Sequence, residues 1–253
     1  MMSKLKAYHR PTNVDEVLQL LARPGVRTAI AAGGTYIVPH LPDAIDEVVD
    51  LQAIPALTEM TYTGQGLVLG AMVRLQTLVE DGRAPALLRD SARREGPLTL
   101  RQAATIGGIV CAPDRDSELL AALLVGDAEV KVQTAAGVKN VPLAIFLRDI
   151  PAVLNGGGLV TAVSVRVLGK TASARVARTP ADRSIVAALA RQGSNGKVRL
   201  ALCGVNSVPI LVDPHNVKAA VHPPHDFRGS SEYRRQMAAT LAERVLKQVE
   251  IRR

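Results

Sequence analysis

Two glycine pairs set in matching contexts constrain this chain more than anything else in it. Ala31-Ala32-Gly33-Gly34-Thr35 and Ala104-Thr105-Ile106-Gly107-Gly108-Ile109 each place a Gly-Gly beside a threonine, after a run that can bring the chain in as a strand. Paired glycines open backbone conformations closed to other residues and let a bulky ligand approach the peptide N–H groups. Successive N–H groups in such a loop form a nest suited to anions, phosphates above all. The pairs lie 74 residues apart (107 minus 33), a separation that suits a diphosphate gripped from two sides. Gly33, Gly34, Gly107 and Gly108 are thus the candidate donors, with the Thr35 and Thr105 hydroxyls beside them.

The elements around these motifs read as α+β. Asn13 caps a helix, with Glu16 three residues on to complete a capping box, and Val14, Val17, Leu18 and Leu21 share its face until Pro24-Gly25 stops it. Strands are expected at Thr28–Ala32 and Val48–Leu51. Gly64-Gln65-Gly66 reads as a hairpin turn between Thr61–Thr63 and Leu67–Gly70. Helices follow at Leu75–Val79, Ala84–Arg94 and Ser117–Leu124, then strands over 128–134 and Val160–Val167. After Leu168 the pattern reads strand (173–178), helix (184–191), strand (198–205), an irregular proline-rich connection (209–224), and a helix from Ser230 to the C-terminus. Three lobes are expected: 1–55, 56–167 and 168–253.

Composition narrows the partners. Aromatic content is 2% with no tryptophan, too little for the stacking platforms of single-stranded nucleic-acid binders. The net charge of +8 comes from scattered residues with only short clusters such as Arg93-Arg94 and Arg234-Arg235, so no nucleic acid is expected. Cys111 and Cys203 are isolated, which leaves no Cys-x-x-Cys pair for zinc or an iron–sulfur cluster. The five histidines show no ligand spacing, and no metal is expected. Met1–Arg10 has no signal-peptide core, and no window nears the ~20 apolar residues of a membrane span. The chain reads as cytoplasmic.

The motifs also carry a resemblance. Ala31–Thr35 is similar to the AGGTD or AGGQS loop of the FAD-binding (medium) subunit of molybdenum hydroxylases, the carbon monoxide dehydrogenase, xanthine dehydrogenase and aldehyde oxidoreductase group. Leu100–Gly108 resembles that family's IRNxATIGG, and the register continues through Leu123–Val130. Arg175–Arg178 with Asp182 and Ile185, Arg199–Val205 and Ser231–Arg235 resemble its later motifs in the right order. The resemblance implies a two-lobe FAD-binding fold of the vanillyl-alcohol-oxidase type followed by a small C-terminal α+β lobe. FAD would lie between the first two lobes against Ala32, Gly33, Gly34, Thr35, Tyr36, Thr105, Ile106, Gly107, Gly108 and Glu118, with Arg175 reaching toward its ring from the third. Arg101 is a further neighbour of the cofactor or a surface arginine, and Asp182 would orient Arg178.

The implied partners are a molybdopterin-binding large subunit and a [2Fe–2S] small subunit. This chain would pass electrons from the clusters through FAD to an acceptor such as a quinone, NAD or dioxygen. A free-standing flavin oxidase and a scaffold subunit without flavin are the alternatives. The sequence departs from the family pattern at Tyr36 (often Asp or Ser), Ile109 (Asn) and Glu118 (Asp), and the loop 111–116 is unusually charged.

Overall fold

A computed structural model describes residues 5–166 and 169–250, and it arranges them around three sheets. The expected boundary at 167/168 lies outside the described residues.

The N-terminal sheet is parallel, with strand order β1 (Ala7–His9), β3 (Glu47–Asp50), β2 (Thr28–Ala31). Helix α1 (Val14–Leu21) precedes β2. Asn13 caps it, its side chain accepting from the Glu16 N–H at 2.9 Å. The Glu16 carboxylate reaches back to the Thr12 N–H and the Asn13 amide, one residue earlier than a standard capping box places it. Val17, Leu18 and Val49 form the core here together with Met72 and Leu159. The apolar interior is therefore continuous with the next sheet.

The central sheet is antiparallel, ordered β4 (Met60–Tyr62), β5 (Gly66–Gly70), β8 (Leu159–Arg166), β6 (Glu129–Thr134), β7 (Gly137–Pro142). Between β5 and β6 run α2 (Leu75–Glu80), α3 (Ala86–Arg93), α4 (Leu98–Arg101), α5 (Ile106–Cys111) and α6 (Glu118–Val125); α7 (Leu143–Phe146) and α8 (Ile150–Leu154) precede β8. Every residue of α6 is buried. A helix apolar all round has no solvent face to offer and belongs inside a core; α6 stands between the central sheet's helices and the last sheet.

That last sheet is ordered β12 (Ile210–Val212), β11 (Val198–Cys203), β10 (Val186–Gln192), β9 (Lys170–Val176), all antiparallel. It is closed by α9 (Val217–Ala220) and by α10 (Ser231–Glu250). Two expectations are corrected here. The stretch 184–191, read as helical, is the inner strand β10. Its Ala187 and Leu189 face the core that contains α6. Its Val186, Ala188 and Ala190 face α10. Burial on both faces removes the polar alternation that marks a strand, and the alanines then read as helix. The 209–224 segment, expected to be irregular, contributes edge strand β12 and the short α9.

The seam between the central and C-terminal sheets is charged. The acidic loop 111–116 docks here: Asp114 meets Arg183 at 2.6 Å, Asp116 pairs with Arg228, and the Arg115 carbonyl accepts from Gly204 N–H. Arg234 is fully buried, with two bonds to the Asp226 carboxylate (2.7 and 2.8 Å) and two to the carbonyls of Ile185 and Gly204.

Candidate functional site

All strands of a parallel sheet end at one edge, and ligands of α/β sheets sit beyond their carboxyl ends. Here β2 ends at Ala31, so the chain leaves that edge directly into Ala32-Gly33-Gly34-Thr35-Tyr36. Gly34 has φ +74°, a left-handed conformation that glycine adopts without strain. The bend continues as a turn in which Val38 N–H donates to the Gly34 carbonyl at 3.1 Å. The exposed Tyr36 ring stacks on His40 at 4.7 Å between centroids, and His40 Nδ1 bonds the Tyr36 carbonyl at 2.8 Å. Among the described residues, the N–H groups of Gly33, Gly34, Thr35 and Tyr36 have no acceptor. Four adjacent amides without protein partners at a sheet's carboxyl edge are open to a ligand's acceptor oxygens.

The two glycine motifs meet. A Cβ added at Gly33 would lie 1.8 Å from the Ala103 carbonyl oxygen and 3.2 Å from the Ala104 Cα. Gly33 therefore rests directly on the peptide that leads into Thr105. That peptide is fixed in turn, since Ala104 N–H donates to Leu100 and the Ala104 carbonyl accepts from Leu75.

Beyond Ala104 the second motif differs from the expected open loop. Thr105 is the N-cap of α5, accepting from Gly108 N–H at 3.1 Å, and Ile106, Gly107 and Gly108 are its first turn. Ile106 N–H donates to the Val73 carbonyl and Gly107 N–H to that of Ala71 at 2.8 Å. Gly107 has no room for a side chain, because its Cβ would sit 2.9 Å from Ala71. All three amides thus already have partners, and the motif locks α5 onto the segment after β5. Thr105 and Ile106 are buried beneath it. Arg101 is occupied elsewhere, bonding Gln76 and the carbonyls of Arg93 and Gly96.

Glu118 and Arg175 are brought together. The Glu118 carboxylate is buried and takes Arg175 Nε at 3.0 Å, Arg94 at 2.9 Å and the Ser184 hydroxyl at 2.9 Å. The Arg175 fork also holds the Pro180 and Asp182 carbonyls. Asp182 uses its carboxylate on the Thr179 N–H rather than on Arg178. Next to this cluster lies Glu95, a residue the sequence reading passed over. It accepts from Ser117 Oγ (2.8 Å) and Leu119 N–H (2.9 Å) and faces Arg183 at 3.2 Å. Burial pushes its carboxyl up to about 7, with Arg183 and the two hydrogen bonds opposing. Its only signal in sequence was position, directly after Arg93-Arg94. This buried carboxylate–arginine cluster ties the two larger sheets together, although among the described residues the Nε atoms of Arg175 and Arg183 lack a hydrogen-bond partner of good geometry.

Cys111 and Cys203 are both free thiols. Among the described residues no three His, Cys, Asp or Glu side chains converge as metal ligands, and no helix is long and apolar enough to cross a membrane.

Comparison with known proteins gives these features a context. The family described as the FAD-binding domain in molybdopterin dehydrogenase matches residues 2–166. The chain is 28% identical to the 6-hydroxypseudooxynicotine dehydrogenase complex subunit alpha of Paenarthrobacter nicotinovorans, over 92% of this chain and 90% of that protein. It is 24% identical to the carbon monoxide dehydrogenase medium chain of Hydrogenophaga pseudoflava, over 94% and 95% of the two. The structure superposes on a chain of the Hydrogenophaga pseudoflava carbon monoxide dehydrogenase with a TM-score of 0.87 across 98% of both, at 22% identity. That likeness establishes the fold as the two-lobe flavin-binding type with a small C-terminal α+β lobe.

Proposed function

The chain belongs to the family of FAD-binding domains of molybdopterin dehydrogenases, and from that premise we propose that it is the electron-transfer flavoprotein of a molybdenum hydroxylase complex. Its partners in this reading are a molybdopterin-binding large subunit and a [2Fe–2S] small subunit, with the assembly in the cytoplasm. The lobes are taken as 1–55, 56–167 and 168–253.

The observation that carries the reading is the bend at 33–36. Its four unpartnered amides sit at the seam where the N-terminal sheet touches the Ala103–Ala104 peptide. Such amides match a group with several acceptor oxygens and negative charge, as a dinucleotide's diphosphate has. FAD held there supplies the redox chemistry that links cluster electrons to an external acceptor. Gly33, Gly34, Thr35 and Tyr36 would donate backbone N–H groups to the diphosphate, with the Thr35 hydroxyl as a further donor. Ala32 and the α5 start, Thr105 to Gly108, would back the bend with small residues and amides already committed to the protein. Glu118 and Arg175 join α6 to the C-terminal sheet through their ion pair, and in this reading Arg175 approaches the cofactor from the third lobe.

The test is co-purification from the native source with flavin, molybdenum and iron analysis. The reading expects one flavin per chain, an absorption band near ~450 nm typical of oxidised flavins, and companion chains carrying molybdenum and iron. Recovery of this chain alone with turnover of a small substrate would instead establish a free-standing oxidase.

A further inference from the structure

A second cavity lies away from the glycine bend, between the central and C-terminal sheets. Its volume is about 470 Å³, and its walls include Gln65, Asp127, Arg166, Arg191, Lys197 and Arg199, with the 193–195 turn closing one side. That volume lies in the ordinary range of small-molecule sites, roughly 300–1,000 Å³. Four separate pieces of chain build it: the β4–β5 turn, Asp127 two residues beyond α6, the end of β8, and the hairpin of β10 and β11 with its turn.

The charge of these walls is unbalanced. Asp127, itself in a left-handed conformation at φ +52°, is the single carboxylate. It holds Arg191 at 2.6 Å and pairs with Arg199. Arg191 is buried and also donates through Nε to the Val125 carbonyl at 2.6 Å. These contacts fix two guanidinium groups in place before anything binds, and one anion cannot neutralise both. Arg166 and Lys197 add two more cations. Among the described residues neither of these two side chains has a hydrogen-bond or ion-pair partner. Four cations and one carboxylate leave a net charge of +3 on the walls. Facing cations in a concavity repel, and the field they focus draws in a multiply charged anion.

The neutral lining narrows the class further. Gln65, Ser194 and Asn195 offer hydrogen bonds, and no aromatic or aliphatic side chain lines the cavity. A nucleobase or quinone ring finds nothing to stack on; phosphate oxygens find guanidinium donors that suit them.

We propose that this cavity binds a small soluble polyanion with at least two negative charges, of the pyrophosphate or phosphorylated-metabolite class. The site is separate from the flavin reading. Helix α6 lies between Glu118 at its start and Asp127 just beyond its end, and its eight residues span about 12 Å.

The experiment is calorimetric titration of the full chain with sodium pyrophosphate at constant ionic strength, with chloride as the control anion. It is repeated on Arg166→Glu, Lys197→Glu and the double variant. Both residues are exposed, so reversal leaves the fold intact, which unchanged melting and flavin content verify. The expected result is a saturable heat of one site per chain, weakened about tenfold or more by each single reversal, the equivalent of one charge-assisted contact. Failure to saturate, or a heat that the double variant leaves untouched, overturns the proposal. A colourless preparation bears on the flavin reading alone and leaves this titration readable.

Discussion

Replacing Gly33 with alanine puts a methyl carbon where the Ala103 carbonyl already is. The added Cβ would sit 1.8 Å from that oxygen and 2.6 Å from its carbon, whereas Cβ contacts keep at least 3.0 Å. Relief therefore needs a shift of at least 1.2 Å (3.0 minus 1.8). No side chain can rotate to supply it, because the obstacle is backbone. Nor can the 103–104 peptide retreat easily, held as it is by Leu100 on one side and Leu75 on the other. The N-terminal bend must move away from the central sheet instead. Overpacking of this kind costs about 1–3 kcal/mol, or a fall of about 2–12 °C in melting temperature for a chain of this size. The same displacement misaligns the 33–36 amides. Losing two amide–phosphate bonds at about 1.5 kcal/mol or more each weakens FAD by well over tenfold.

The assay pairs flavin titration of the stripped protein with thermal unfolding. The control is Gly82→Ala, whose added Cβ meets nothing within 4 Å and which should alter neither reading. A Gly33→Ala protein that melts within about 1 °C of the parent and binds FAD within about twofold would refute the claim that the two motifs meet at the cofactor.

Other perturbations report on the scaffold. Arg234→Met should lose about 2–3 kcal/mol in urea unfolding, because it leaves the Ile185 and Gly204 carbonyls without their buried donor and removes the ion-pair partner of the partly exposed Asp226. Arg234→Lys should recover little of it, since an ammonium cannot span four acceptors in a plane. Thr105→Ala removes the α5 cap on Gly108 and should cost about 1 kcal/mol, while Thr105→Ser should be close to neutral. Glu95 makes a pH prediction. Its carboxyl stands at about 7 when folded against 4.5 unfolded, so between those values the folded state holds a proton that the unfolded state has released. Stability from this residue is thus greatest below 4.5 and declines as pH rises to about 7, by about 3 kcal/mol in all. Melting temperatures measured from acid to neutral pH should show that decline in the parent and lack it in Glu95→Gln; the opposite slope would mean Arg183 outweighs burial.

What the sequence disclosed, and what it hid, follows from how local each feature is. The α1 cap needed only Asn13 and Glu16, three residues apart, and was readable. So was the β4–β5 hairpin, written in Gly64-Gln65-Gly66, and so were the glycine pairs themselves. Strand β10 was hidden because its partners on both faces come from α6 and α10, far away in the chain. The Ile106 and Gly107 amides looked free because their acceptors, Val73 and Ala71, precede them by more than thirty residues. Glu118 and Arg175 were singled out as cofactor neighbours; that they are also each other's ion-pair partners depends on a seam that no spacing rule describes. The charge of the 111–116 loop, an oddity in sequence, is explained by Arg183 and Arg228, which it meets in the segments leading into β10 and α10.

Hydrogen–deuterium exchange of the stripped and FAD-loaded protein tests the central claim at single-segment resolution. The account predicts that residues 33–36 exchange fast without FAD and slow sharply with it, while Ile106, Gly107 and Gly108, already bonded, are slow in both states. Unchanged exchange at 33–36 with protection appearing elsewhere would contradict it.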